Sequence, residues 1–164
     1  MLHSIYVVVG VNWEERKMTA PHMTIAIDPD LHKSGVAIFF GKELKELEAW
    51  EFPELMEAID NFPNATFVVE AVDTDKTTYI RPGINQAAMR KIAQNVGMVK
   101  GTYHQLIKCI EAKGRKLIKV RPLKGAVKQK AKKDAKYFNK LFNWEGRTNE
   151  DKRDAAMIGR AYLG

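Results

Sequence analysis

Two short apolar runs, each ending in an acid, constrain this chain more than any other feature. Met23-Thr-Ile-Ala-Ile27 is closed by Asp28, and Thr66-Phe-Val-Val69 is closed by Glu70. Runs of this length, rich in β-branched residues, read as buried strands, so both carboxylates belong at strand ends, where side chains are held rigidly. A third acidic element lies far away in the sequence. Thr148-Asn-Glu-Asp151-Lys-Arg-Asp154-Ala-Ala reads as the opening of a helix with Thr148 as cap and Asp151 at the third helical position. The three-residue spacing puts Asp151 and Asp154 on one helix face. Acids that converge repel one another unless cations separate them, and hard oxygen ligands suit Mg²⁺ or Mn²⁺. Divalent-metal chemistry on phosphate is therefore the expectation.

At 164 residues the chain can build one domain with a proper core, and is too short for two ordinary ones. Its formal charge of +7 is unevenly spread: residues 113–140 hold twelve Lys or Arg against the single acid Asp134, a local +11 that leaves −4 elsewhere. An acidic body with one basic segment suits a polyanion, with cations meeting phosphates and acids left for metal. Arg121, Lys124, Lys128, Lys132, Lys136 and Lys140 are the expected nucleic-acid contacts. Cys109 is the only cysteine, which excludes an intrachain disulfide and a thiolate cluster and points to a reducing cytoplasm. The four histidines show no ligand spacing. Ile5-Tyr-Val-Val-Val-Gly-Val11 is too short to span a bilayer, so no membrane association is expected. Residues 1–22 read as an N-terminal extension, either an added strand or an upstream segment, ahead of a domain over 23–164.

Strands are predicted at about 23–28, 35–40, 44–52, 66–70 and 116–121. Pro53 opens a short helix to Ile59. Residues 71–83 have loop composition. A long helix follows, with Ile84, Ile92, Val96, Val99, Tyr103, Leu106 and Ile110 in helical period, and Gly97 and Gly101 placed to let it approach the sheet closely. One basic helix is predicted from about Gly125 to Phe142, with Val127, Ala131, Ala135, Phe138, Leu141 and Phe142 on its apolar stripe. Asp134, at the edge of that stripe, is expected to pair with Lys130 one turn earlier. This order of elements is that of an α/β, ribonuclease H-like fold: a mixed five-stranded sheet with helices on both faces.

Singly, each acid has an ordinary explanation. Asp28-Pro29 is a turn, Glu70 an exposed strand end, Asp151 a dipole-favoured acid at a helix start. Two strand ends and one helix start in this order are harder to obtain from turns and caps. The combination Ile25-Ala-Ile-Asp28-Pro29 with Gly35 opening the next strand, Val-Val-Glu70, and Asp151-Lys-Arg-Asp154-Ala-Ala resembles the Holliday-junction resolvases of the RuvC type and their phage-encoded relatives. The resemblance spans about residues 23–164. It implies that Asp28, Glu70, Asp151 and Asp154 are metal ligands and that a lysine near the basic helix assists at the scissile phosphate, with Lys124, Lys130 and Lys133 the best-matching positions. The family usually has glycine after Asp-Pro where this chain has Asp30, which either builds a different turn or joins the site. Its prototype also stacks an aromatic on a base soon after the strand-four glutamate. Here Tyr79, further along the loop, is the only aromatic nearby and is the expected nucleic-acid contact of that kind.

The expected activity is a Mg²⁺-dependent endonuclease on branched DNA, most of all a four-way junction. Two ions about 3.5–4 Å apart, bridged by Asp28, would clamp the phosphate, with Mn²⁺ able to substitute. Two symmetric nicks imply a two-fold homodimer. The alternatives are a nuclease of the same fold trimming structured RNA, and a non-catalytic junction-binding protein. A nucleotide-cleft ATPase shares the first acid pattern but needs two domains.

Overall fold

The computed structural model describes residues 22–72 and 82–164. The N-terminal extension up to Pro21 and Tyr79 lie outside the described residues. Five strands, β1 (Met23–Asp28), β2 (Ser34–Phe40), β3 (Glu43–Trp50), β4 (Thr66–Glu70) and β5 (Lys116–Val120), form one sheet in the order β3-β2-β1-β4-β5. β2 runs antiparallel to β1 and β3, whereas β4 is parallel to β1 and β5 parallel to β4. The sheet is mixed, as the pattern of hairpins followed by crossovers predicts. β1 is central, and its run Thr24–Ile27 is buried on both faces.

Strand alternation sorts the side chains between two cores. Ile25, Ile27, Val36, Ile38, Phe67 and Val69 meet helices α1 (Phe52–Asn61) and α2 (Gln86–Ala112) on one face. Ala26, Ala37, Phe39 and Val68 meet α3 (Ala126–Lys133), α4 (Ala135–Phe142) and α5 (Glu150–Leu163) on the other. Small residues at Ala26, Ala37, Ala155 and Ala156, all fully buried, let α5 lie close on the middle of the sheet. Gly159 continues that face, where a Cβ would collide with the ring of Phe39. By the same parity Asp28 and Glu70 project to the α3–α5 side, and the β1–β4 register, with Ile27 opposite Val69, sets them level at one sheet end.

Three local expectations are corrected. The basic segment is two helices: Asp134 ends α3 in extended conformation and caps α4, its Oδ1 accepting from the Tyr137 amide at 3.0 Å. A free cap carboxylate stabilises a new helix start better than an ion pair within a continuous one. Lys130, its expected partner, instead lies over the Tyr137 ring, 4.6 Å from the centroid. The apolar stripe is shorter than expected: Ala131 and Phe138 are buried, but Val127 is 47% exposed. In α2 the glycines make no close approach, since nothing lies within 4 Å of a Cβ built at Gly97 or Gly101. The buried residues of α2 are Tyr103, Leu106, Ile107 and Ile110, all in its C-terminal half. At about 1.5 Å per residue, the nearly five turns before Tyr103 extend some 25 Å beyond that packed portion. None of the described helices is long and apolar enough to cross a membrane.

Candidate active site

β1 delivers Asp28 and β4 delivers Glu70 at the same sheet end, and α5 brings Asp154 over them. The α5 cap is Asn149, whose side chain accepts from the Lys152 amide at 2.9 Å, one residue later than the Thr148 expected from sequence. Asp154 is consequently within the helix and 4% exposed, while Asp151 sits in the first turn and is exposed. The Asp151 backbone packs directly on Gly35, the ladder partner of Asp28. A side chain at Gly35 would hold the start of α5 away from the site.

Burial, reinforced by the nearby charges of Asp154 and Glu70, pushes the Asp28 carboxyl up to about 7 from 3.8. Lys128 and Lys132 oppose that rise only in part. The two lysines are one turn apart on α3 and both turn inward. Lys128 donates to Glu70 Oε1 at 2.9 Å, and the same oxygen accepts from the Leu123 amide at 2.8 Å. Lys132 donates to Asp154 Oδ2 at 2.5 Å. That hydrogen bond holds the Lys132 ammonium above its ordinary range. Asp154 Oδ1 is buried without a hydrogen-bond partner among the described residues.

Sequence reasoning did not anticipate Arg153. Its buried guanidinium donates to the Lys132 carbonyl from Nε at 2.8 Å and from a terminal nitrogen at 2.5 Å, and to Thr148 Oγ1 at 2.8 Å. It thereby ties the last turn of α3 to α5. A basic residue between two acids in Asp-Lys-Arg-Asp was visible, but nothing in the pattern distinguished a buried anchor from a solvated cation.

The structure therefore gathers Asp28, Glu70, Asp154, Lys128 and Lys132, with Asp151 exposed beside them. Lys124, Lys130 and Lys133 are exposed and form no ion pair with these acids among the described residues. Arg121, Lys136 and Lys140 are also exposed, on or near the basic helices. Asp30 is a turn former: its Oδ1 accepts from the Leu31 amide at 2.6 Å, and its own amide donates to Ser34 Oγ at 3.2 Å.

Among the described residues no three His, Cys, Asp or Glu side chains converge as a ready-made metal cage. Glu70 and Asp154 are each paired with a lysine instead. The donor set nevertheless fits a hard divalent cation. The carboxylates are crowded enough to drive Asp28 toward protonation, and Asp154 keeps one buried oxygen unsatisfied. A cation would relieve both.

The sequence matches no family model and no curated protein. The fold, however, matches solved structures: Thermus thermophilus RuvC in complex with a Holliday junction substrate superposes with a TM-score of 0.53 at 16% identity, covering 83% of this chain and 89% of that one. The chain has a RuvC-like fold. A further Thermus thermophilus RuvC structure gives a TM-score of 0.51 at 14% identity over 83% and 90% of the two chains. At such identity the RuvC likeness speaks for architecture, and the chemistry rests on the side chains just described.

Proposed function

We propose that this protein is a divalent-metal-dependent endonuclease that resolves four-way or otherwise branched DNA by paired symmetric nicks. The observation that carries this reading is the convergence of Asp28, Glu70 and Asp154 beneath two inward-turned lysines, in the fold of a resolvase solved with a Holliday junction. Asp28, Glu70, Asp151 and Asp154 would hold Mg²⁺, with Mn²⁺ as substitute. When bound, the ions would supply positive charge at the scissile phosphate and a more acidic water. The chain's own groups do the rest. Asp28, at the end of a rigid central strand, fixes the position of the reacting phosphate relative to the sheet. Lys128 and Lys132 present ammonium groups where charge develops on that phosphate, taking the role expected of Lys124, Lys130 or Lys133. Arg153 positions Lys132 through its carbonyl and does not touch the substrate.

Arg121, Lys124, Lys133, Lys136 and Lys140 line the approach as phosphate contacts and set affinity for DNA of any shape. Pairing of the nicks calls for a homodimer. The projecting half of α2 supports one, since Met89, Ile92, Val96 and Val99 form a half-buried apolar stripe and Met98 is 38% exposed. Such a stripe, unmatched within the described residues, suits a second copy.

The test is cleavage of a synthetic four-way junction, a linear duplex, a splayed arm and an RNA of junction shape, each with and without Mg²⁺. Symmetric nicks in the DNA junction, dependent on Mg²⁺, are expected. Cleavage confined to the RNA would transfer the same site to RNA processing. Binding without cleavage in Mg²⁺ and Mn²⁺ would leave a junction-binding protein.

A further inference from the structure

The ion pairs within the acid cluster have an unusual distribution. Glu70 and Lys128 are 18% and 12% exposed at the side chain, and Asp154 is 5% exposed against 33% for Lys132. Two negative charges are matched by two positive ones, each donated by a flexible four-carbon stem. A purely structural bridge would satisfy the more buried partner fully, yet Asp154 Oδ1 is left without a hydrogen bond. The backbone bearing the lysines is fixed independently of the ammonium groups: Ala131 is fully buried and Arg153 grips the Lys132 carbonyl. The ammonium groups can therefore leave the carboxylates without moving the helix.

We infer that Lys128 and Lys132 are placeholders for divalent cations, occupying Glu70 and Asp154 in the metal-free protein and released onto the DNA phosphate when metal binds. This rests on the metal-dependent reading proposed above and adds a competition to it. Charge matching requires the exchange. Once divalent ions satisfy the carboxylates, both ammonium groups become surplus positive charge in a half-buried place, and a phosphodiester is the anion that restores the balance. Metal binding and substrate grip are then one coupled step, and metal-free protein presents a neutralised cluster with little hold on the scissile phosphate.

Calorimetric titration of the protein with Mn²⁺ alone, in the absence of DNA, tests this. Lys128→Gln and Lys132→Gln should each bind Mn²⁺ roughly tenfold more tightly than wild type, the scale of one charge-assisted hydrogen bond no longer competing. Lys133→Gln, an exposed lysine of the same helix, should change affinity little. Equal tightening in all three would reduce the effect to general electrostatics and overturn the placeholder role. Wild-type Mn²⁺ binding with no tightening in the two variants would also overturn it, while leaving the nuclease reading intact. Failure of every protein to bind Mn²⁺ would remove the metal-dependent reading itself. Nitrogen-detected NMR of the lysine ammonium groups in unsubstituted protein decides the matter should a variant misfold. Two protected signals should lose their protection as Mg²⁺ is added, and their persistence in Mg²⁺-saturated protein would overturn the exchange.

Discussion

Gly35 and Asp151 touch backbone to backbone: a Cβ on Gly35 would collide with the Asp151 carbonyl group, and Gly35 is also the ladder partner of Asp28. One missing methyl group thus sets the distance between the strands that carry Gly35 and Asp28 and the helix that carries Asp154. Gly35→Ala should cost about 1–3 kcal/mol, as overpacking generally does, and should lower junction cleavage more than junction binding. Thermal unfolding beside single-turnover cleavage checks it. A variant with wild-type melting and rate would show that α5 can shift freely.

The Asp28 carboxyl should make metal-free protein less stable as pH rises. Its folded pKa of about 7 lies above the ordinary 3.8, so between those values the folded state holds a proton that the unfolded state has released. Stability from this group is fully present below about pH 4, falls between pH 4 and 7, and levels off above. Asp28→Asn should erase that slope and melt higher than wild type at pH 8 in EDTA, while abolishing cleavage and preserving junction binding. Parallel melting profiles for the two proteins from pH 4 to 8 would contradict the assignment.

Arg153→Lys should not be conservative. A single ammonium cannot reproduce the guanidinium's hydrogen bonds to Lys132 and Thr148, and the buried carbonyl would lose donors. A loss of about 2–4 kcal/mol in denaturant unfolding is expected, with slower cleavage of bound junction because Lys132 is no longer positioned. Wild-type stability would mean that water replaces the guanidinium without cost.

Lys133, Lys136 and Lys140 should govern affinity alone. Their combined replacement by Gln should weaken binding to every DNA shape and reduce the salt dependence by about one unit of slope per lost phosphate contact. Single-turnover rates at saturating protein should stay at the wild-type value. A slowed rate would place one of these lysines at the reacting phosphate.

Charge placed on the projecting half of α2 should break the homodimer proposed above. Ile92→Glu or Val96→Glu should give a monomer by light scattering, with the fold intact because neither position belongs to the buried core. Nicks in the two strands should then lose their pairing. Unchanged mass would require another interface.

Most of the fold was legible because strand parity and acid-terminated runs are local signals. The placement of Asp28 and Glu70 at strand ends was readable from the apolar runs they close, and their shared face follows from alternation. That Lys128 and Lys132, named only as nucleic-acid contacts, turn toward the acids was not readable, because helix rotation decides it, and rotation is set by Ala131 packing on α5 and by the Arg153 anchor. Lys128 and Lys132 look no different in sequence from Lys124, Lys130 or Lys133. The break at Asp134 carried a readable cap signal that the surrounding helical periodicity masked. The glycines in α2 suggested close packing, but both are exposed and precede the buried residues Tyr103, Leu106, Ile107 and Ile110, and composition cannot reveal where along its length a helix meets the sheet.

The site draws on residues 28, 70 and 154, so its parts are made at very different moments of translation. Chains emerge from the N-terminus onward, and α5 seats itself only after the sheet it covers has been synthesised. A nascent chain up to the end of α4 already has five strands and its lysines but lacks Asp154 and Arg153. Glu70 and Lys128 are both present at that stage, but Lys132 still lacks its partner Asp154. Because Asp154 and Arg153 arrive together on α5, the buried acid cluster and the anchor that fixes the Lys132 backbone are completed in a single late step.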